Sequence, residues 1–183
     1  MIYSWKIIFK ESAPLLALMA LIGIMGGQVL HRIEDFLFLF PIFLFLLPVM
    51  NGLGGNIGAI LGARASSGLH FGSISPNIFD KEMGENVYLT LLMGAATYLG
   101  VALGIAASST VLDLKVAMIN LIIIIAGAGA IITVSTVILT VLVSVWSYKK
   151  RIDPDNVVIP VITTLADFIS ILALYLMVWV VIL

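Results

Sequence analysis

Five long apolar segments take up most of the chain and constrain its fold more than any other feature. They lie at about residues 12–30, 36–63, 87–110, 116–147 and 157–183. A helix needs about 20 apolar residues to cross a bilayer, so each segment can span one. Only 10% of the residues are charged, against about 25% in a soluble domain. We therefore predict an all-α polytopic membrane protein in which residues 1–183 form one integral membrane domain with five transmembrane helices.

The basic residues predict how these helices are oriented. Loops on the cytoplasmic side of a membrane are enriched in Lys and Arg. With five spans, Arg32 and Lys115 fall on one side, and the other side holds Lys6, Lys10, Arg64, Lys81, Lys149, Lys150 and Arg151. We expect a multi-pass protein of the cell (cytoplasmic) membrane with its N-terminus in the cytoplasm.

Several functions are disfavoured by what the sequence lacks. The chain has no cysteine, which excludes disulfides and thiolate metal sites. No basic stripe suits nucleic acid, and no nucleophile–base or paired acid–base pattern suits an enzyme. His31 and His70 fall at predicted membrane edges without a second His or Cys at ligand spacing, so we interpret them as interfacial residues.

Asp167 is a lone carboxylate in the last apolar segment. Counted from residue 157 at about 1.5 Å per residue, it lies roughly 15 Å deep, near the bilayer midplane. A charge there costs at least about 2.5–3.5 kcal/mol unless it meets water, a partner or an ion. We predict that Asp167 binds a metal ion.

A polar stripe leads towards Asp167 along the same predicted helix. Three- and four-residue spacings place its members on one face, and Pro160 removes a backbone donor. The stripe consists of Asn156, Pro160, Thr163 and Thr164. We predict that these residues line a pore.

The second apolar segment contains four glycines and two asparagines within residues 51–58. Glycine costs a helix interior up to about 1 kcal/mol relative to alanine. We predict an interruption of the helix that lines the pore through Asn51, Gly54, Gly55 and Asn56. The alternative is a close helix–helix contact, which glycines also allow.

The donor types indicate the ion. Carboxylate, amide, hydroxyl and backbone oxygens are hard ligands that suit Mg²⁺ or Ca²⁺. Two copies of Asp167 across a two-fold axis would balance one divalent cation. Mg²⁺ loses its water reluctantly, so we expect a hydrated ion in a homodimer with its pore at or near that axis.

These motifs resemble a known family. Residues 48–58 are similar to the glycine–asparagine signature of the MgtE magnesium transporters, and 153–167 to the fifth membrane helix of that family. The run Asp153-Pro154-Asp155-Asn156, with Arg64, Ser66 and His70, is closer to the solute-carrier relatives of MgtE. The resemblance covers essentially the whole chain.

The resemblance implies a homodimeric Mg²⁺ pathway between the second and fifth helices, with a hydrated ion held at Asp167 and with Gly54, Gly55 and Asn56 lining it. MgtE proteins usually carry cytoplasmic Mg²⁺-sensing domains; none lies within residues 1–183, and we expect a stand-alone membrane domain. We therefore expect cytoplasmic acidic residues to act as local substitutes, namely Glu11, Asp80, Glu82, Glu85, Asp153 and Asp155. Ile159 and Ser170 stand where the family often has glycine.

Three functions remain open on the sequence. The first is a channel or transporter for Mg²⁺ and other divalent cations. The second is a proton- or Na⁺-coupled exchanger, and the third is a non-conducting membrane scaffold subunit.

Overall fold

The computed structural model describes residues 5–108 and 116–182, and all regular structure in them is helical. The helices are α1 (Trp5–Arg32), α2 (Glu34–Leu39), α3 (Ile42–Phe71), α4 (Lys81–Ala107), α5 (Met118–Lys149) and α6 (Pro154–Ile182). Five of them are long and apolar enough to cross a membrane, and only the six-residue α2 is not. The all-α prediction with five apolar helices is confirmed. Lys115, one of the two basic residues predicted on the outer side, lies outside the described residues.

The predicted bounds of the second span are wrong at both ends. The chain forms the short helix α2 first, and α3 begins only after Pro41. At its other end α3 continues to Phe71, so the predicted loop from 64 to 86 is confined to residues 72–80. Hydropathy ended the span at Arg64, but Ala65 and Leu69 are buried and keep the chain helical beyond it.

The predicted interruption of this helix is also wrong. Residues 51–58 are helical throughout, and α3 is a single 30-residue helix despite Pro48 and the glycines. Gly54, Gly55 and Gly58 are buried against other helices. Close packing between helices offsets the low helix propensity of glycine. A close helix–helix contact was the alternative interpretation of these glycines.

Local signals define both ends of the connection between α3 and α4. Gly72 has a φ of +74°, the left-handed conformation that ends many helices and that glycine adopts without strain. The Asp80 carboxylate accepts hydrogen bonds from the backbone N–H groups of Glu82 (3.0 Å) and Met83 (3.2 Å). Asp80 is thus the N-cap of α4.

The core lies around α5. This helix contacts α3, α4 and α6. Half of its most apolar stretch is buried, against 11% of the corresponding stretch of α1. Helix α1 contacts α6 and α2 at the edge of the bundle. The bundle is therefore built from α3, α5 and α6 in mutual contact, with α4 packed against α5 and α3, and α1 against α6.

Candidate ion pathway

A row of glycines brings α3 close to its neighbours. A Cβ atom at Gly55 would lie 3.5 Å from Thr163 Cγ2 and 3.6 Å from its Cα. One at Gly62 would lie 2.7 Å from Val158 Cγ1, and one at Gly54 2.6 Å from Ile132 Cγ2. The structure thus places Gly54 and Gly55 at the contacts between helices, where they allow the backbones of α3 and α6 to approach.

Three polar residues of α3 and α6 lie at this contact or next to it in sequence. Asn56 follows Gly55 on α3 and is exposed. Thr163, which faces Gly55, is half-buried, and Asp167 lies one helical turn further along α6 and is exposed. We refer to Asn56, Thr163 and Asp167 together as the polar seam; all three belong to helices long and apolar enough to cross a membrane.

The remaining residues of the predicted α6 stripe lie beside this seam. Asn156, Pro160 and Thr164 are half-buried. The Thr163 hydroxyl donates to the carbonyl of Ile159 at 2.9 Å, as hydroxyls commonly do in membrane helices. Its oxygen keeps the capacity to accept a hydrogen bond from water.

Asn51 lies elsewhere. It is half-buried, and its Oδ1 atom is buried without a hydrogen-bond partner in the part of the chain that the structure describes. Five residues along a helix correspond to about 140° of rotation, so Asn51 and Asn56 point to different sides of α3. The two asparagines, both predicted to line the pore, are therefore separated by the helical geometry.

Met50, one turn before Gly54, joins three helices through its carbonyl. The Tyr98 hydroxyl on α4 donates to this oxygen at 3.3 Å. The Ser170 hydroxyl on α6 lies 3.5 Å from it and is oriented as a second donor. Ser170, noted as a departure from the family pattern, is thus a buried residue at the α3–α6 contact.

Helix α5 carries a set of buried hydroxyls that was not predicted from the sequence. Five residues at three- and four-residue spacings face the core, and the spacing itself was the readable signal. They are Thr133, Thr136, Thr140, Ser144 and Ser147. Thr136 and Thr140 donate to carbonyls one turn back, at 2.8 and 2.7 Å. The oxygens of Thr133 and Ser144 are buried without a partner among the described residues.

The acidic residues predicted near the cytoplasm are dispersed. Asp153 and Asp155 lie at the start of α6, where the Asp153 carboxylate accepts the Asp155 N–H at 3.1 Å. Glu82 and Glu85 are exposed in the first turns of α4, after the N-cap Asp80. The side chain of Glu11 lies outside what the structure describes.

Comparison with known proteins gives one family match. A family model described as "MgtE: Divalent cation transporter" matches residues 47–177, which include α3 to α5 almost entirely and α6 beyond Asp167. Neither the curated proteins nor the solved structures gave a match.

Proposed function

Because the chain belongs to the MgtE family of divalent cation transporters, we propose that it moves Mg²⁺ across the cell membrane along the seam between α3 and α6. Asp167 binds the ion, and Asn56, Thr163 and Thr164 contact its water shell. Gly54 and Gly55 act indirectly, by letting α6 approach α3.

The observation that supports this proposal is the exposure of Asp167. Asp167 is exposed near the middle of an apolar helix, one helical turn after Thr163. Facing lipid there, a charge would cost at least about 2.5–3.5 kcal/mol. A second copy of the chain placed over the seam would remove that contact with lipid.

A two-fold dimer also supplies the ion with a matching charge. Two Asp167 carboxylates facing one axis neutralise one divalent cation. Mg²⁺ prefers octahedral coordination and usually retains several waters, so the amide of Asn56 and the hydroxyls of Thr163 and Thr164 would contact those waters. Weak contact through water also lets the ion leave, as conduction requires.

Mg²⁺ flux into proteoliposomes tests the proposal. We expect Asp167→Asn to lower Mg²⁺ flux at least about tenfold, because the carboxamide keeps the shape of the carboxylate and loses its charge. Asp35→Asn, at an exposed aspartate of α2, is the matched control and should transport like wild type. Because Asp167 is exposed, both variants should fold.

The same assay separates the other two functions. Wild-type flux that requires a proton or Na⁺ gradient would identify a coupled exchanger. If wild-type protein passes no divalent cation under any gradient, it is a scaffold subunit. Equal Mg²⁺ flux in wild type and Asp167→Asn would contradict the proposed role of Asp167.

A further inference from the structure

A second group of ligand atoms lies at the end of the bundle where α3 ends and α6 begins. One ligand atom each from His70, Asp153 and Asp155 lies within 4.8 Å of the others. His70 Nε2 and Asp153 Oδ1 are 3.4 Å apart. The lysine and arginine distribution predicts this end to be cytoplasmic.

Three helices hold these residues in place. His70 is in the last turn of α3, and its ring lies 6.1 Å from the Tyr148 ring of α5, centroid to centroid. Arg151, at a φ of 60°, turns the chain between α5 and α6. Asp153 then anchors the start of α6 by accepting the Asp155 N–H. The tertiary structure thus brings together residues 83 positions apart in sequence.

The spacing of the ligand atoms suits a small divalent ion. At metal–ligand distances of about 2.1 Å, two ligands of a tetrahedral ion lie roughly 3.4 Å apart. The His70–Asp153 separation equals this value, and it is longer than the usual N–H···O hydrogen bond. Asp155 is exposed and has room to adjust by a side-chain rotation.

We propose that His70, Asp153 and Asp155 bind a first-row transition-metal cation of the Zn²⁺ or Co²⁺ type, with water completing its coordination. Imidazole nitrogen suits these ions, whereas Mg²⁺ prefers oxygen ligands. The site differs from the proposed Mg²⁺ pathway in both chemistry and place. Asp153 precedes Asp167 by 14 residues, which is about 21 Å along the helix.

Occupancy has a structural consequence. The ion joins the last turn of α3 to the first turn of α6, the two helices that form the polar seam. An ion that binds the folded protein and not the unfolded chain stabilises it by RT ln(1 + c/Kd) at free ion concentration c, so the melting temperature rises with ion concentration.

Co²⁺ titration of the purified full-length chain tests the site. The protein is prepared in detergent with a histidine-free tag, and binding is followed by the visible absorption of Co²⁺ and by its displacement with Zn²⁺. We expect saturable binding of one Co²⁺ per chain. His70→Ala and Asp155→Asn should each weaken binding at least about tenfold. Both side chains are partly or fully exposed, so the variants should fold.

Two control variants define the location. His31 is the other histidine of the chain, exposed and 2.8 Å from Glu34, and His31→Ala should bind Co²⁺ like wild type. Asp167→Asn should also bind Co²⁺ like wild type, even where it loses Mg²⁺ flux. The proposal is overturned if wild type shows no saturable Co²⁺ binding, if His70→Ala binds unchanged, or if Asp167→Asn abolishes binding.

Discussion

The role of each polar residue in this protein depends on whether its helix face is exposed or buried. Asp167 and Asn56 are exposed on helices long enough to cross a membrane, whereas the hydroxyls of Thr136 and Thr140 are buried and donate to carbonyls one turn back. Asn56 and Asp167 are open to contacts from outside the chain, whereas the two threonine hydroxyls already have acceptors within it. This difference in direction is the reason that we assign ion contact to Asp167 and a packing role to the α5 hydroxyls.

Asp80 provides a prediction at the scale of one residue. The Ser75 hydroxyl, followed by backbone N–H groups of Met83 and Ser75, hydrogen-bonds its carboxylate and holds the pKa of Asp80 below its ordinary value of 3.8. A lowered pKa in the folded state stabilises it fully above the unfolded-state pKa and less as pH falls through the folded value. The start of α4 should therefore loosen below about pH 4.

Hydrogen exchange by mass spectrometry over residues 72–85 measures this effect. At pH 6, Asp80→Ala should exchange faster there than wild type, because the cap is lost. The difference should shrink as pH falls below about 4 and through the lowered pKa at which wild-type Asp80 becomes protonated. Ser75→Ala should move this transition to higher pH. A difference that stays constant with pH would contradict the assignment.

At the scale of the element, α3 shows how packing overrides helix propensity. Its glycine-rich stretch is unfavourable for an isolated helix, yet the helix is unbroken because Gly54, Gly58 and Gly62 fit against neighbouring side chains. Gly52, on the same helix, has open space around its Cβ position. Glycines of one motif thus have different roles according to the face on which they lie.

Alanine substitutions distinguish these roles. A Cβ at Gly62 meets Val158, a buried and β-branched side chain with little rotational freedom, so Gly62→Ala should destabilise the protein by about 1–3 kcal/mol. Gly52→Ala should leave the melting temperature equal or higher, because alanine favours the helix. Thermal melts in detergent measure both. Equal destabilisation by the two substitutions would argue against the glycine contact.

At the scale of the whole molecule, the proposed dimer accounts for the exposed polar residues of the seam. Helices α3, α5 and α6 bury their small and hydroxyl residues against one another, while Asn56 and Asp167 remain on the outer surface. In the proposed dimer, a second copy covers this surface and contributes the second carboxylate. A single chain would leave both residues facing lipid.

Cross-linking tests this arrangement, and the absence of cysteine from the chain makes single-cysteine variants unambiguous. We expect Asn56→Cys to form covalent dimers with a short bifunctional thiol reagent in native membranes. Leu99→Cys, at a side chain on α4 that is 57% exposed, should remain monomeric. Cross-linking of Leu99→Cys without that of Asn56→Cys would place the interface elsewhere.

The sequence by itself determined the helical class, the number of apolar helices and the isolation of Asp167, because the cost of burying charge and unpaired backbone in lipid acts on composition and spacing alone. Only the tertiary structure decided that α3 is continuous, that Asn51 and Asn56 face different ways, and that His70 meets Asp153 and Asp155. These features depend on contacts between distant segments, whose packing free energy exceeds the local preferences that a sequence displays.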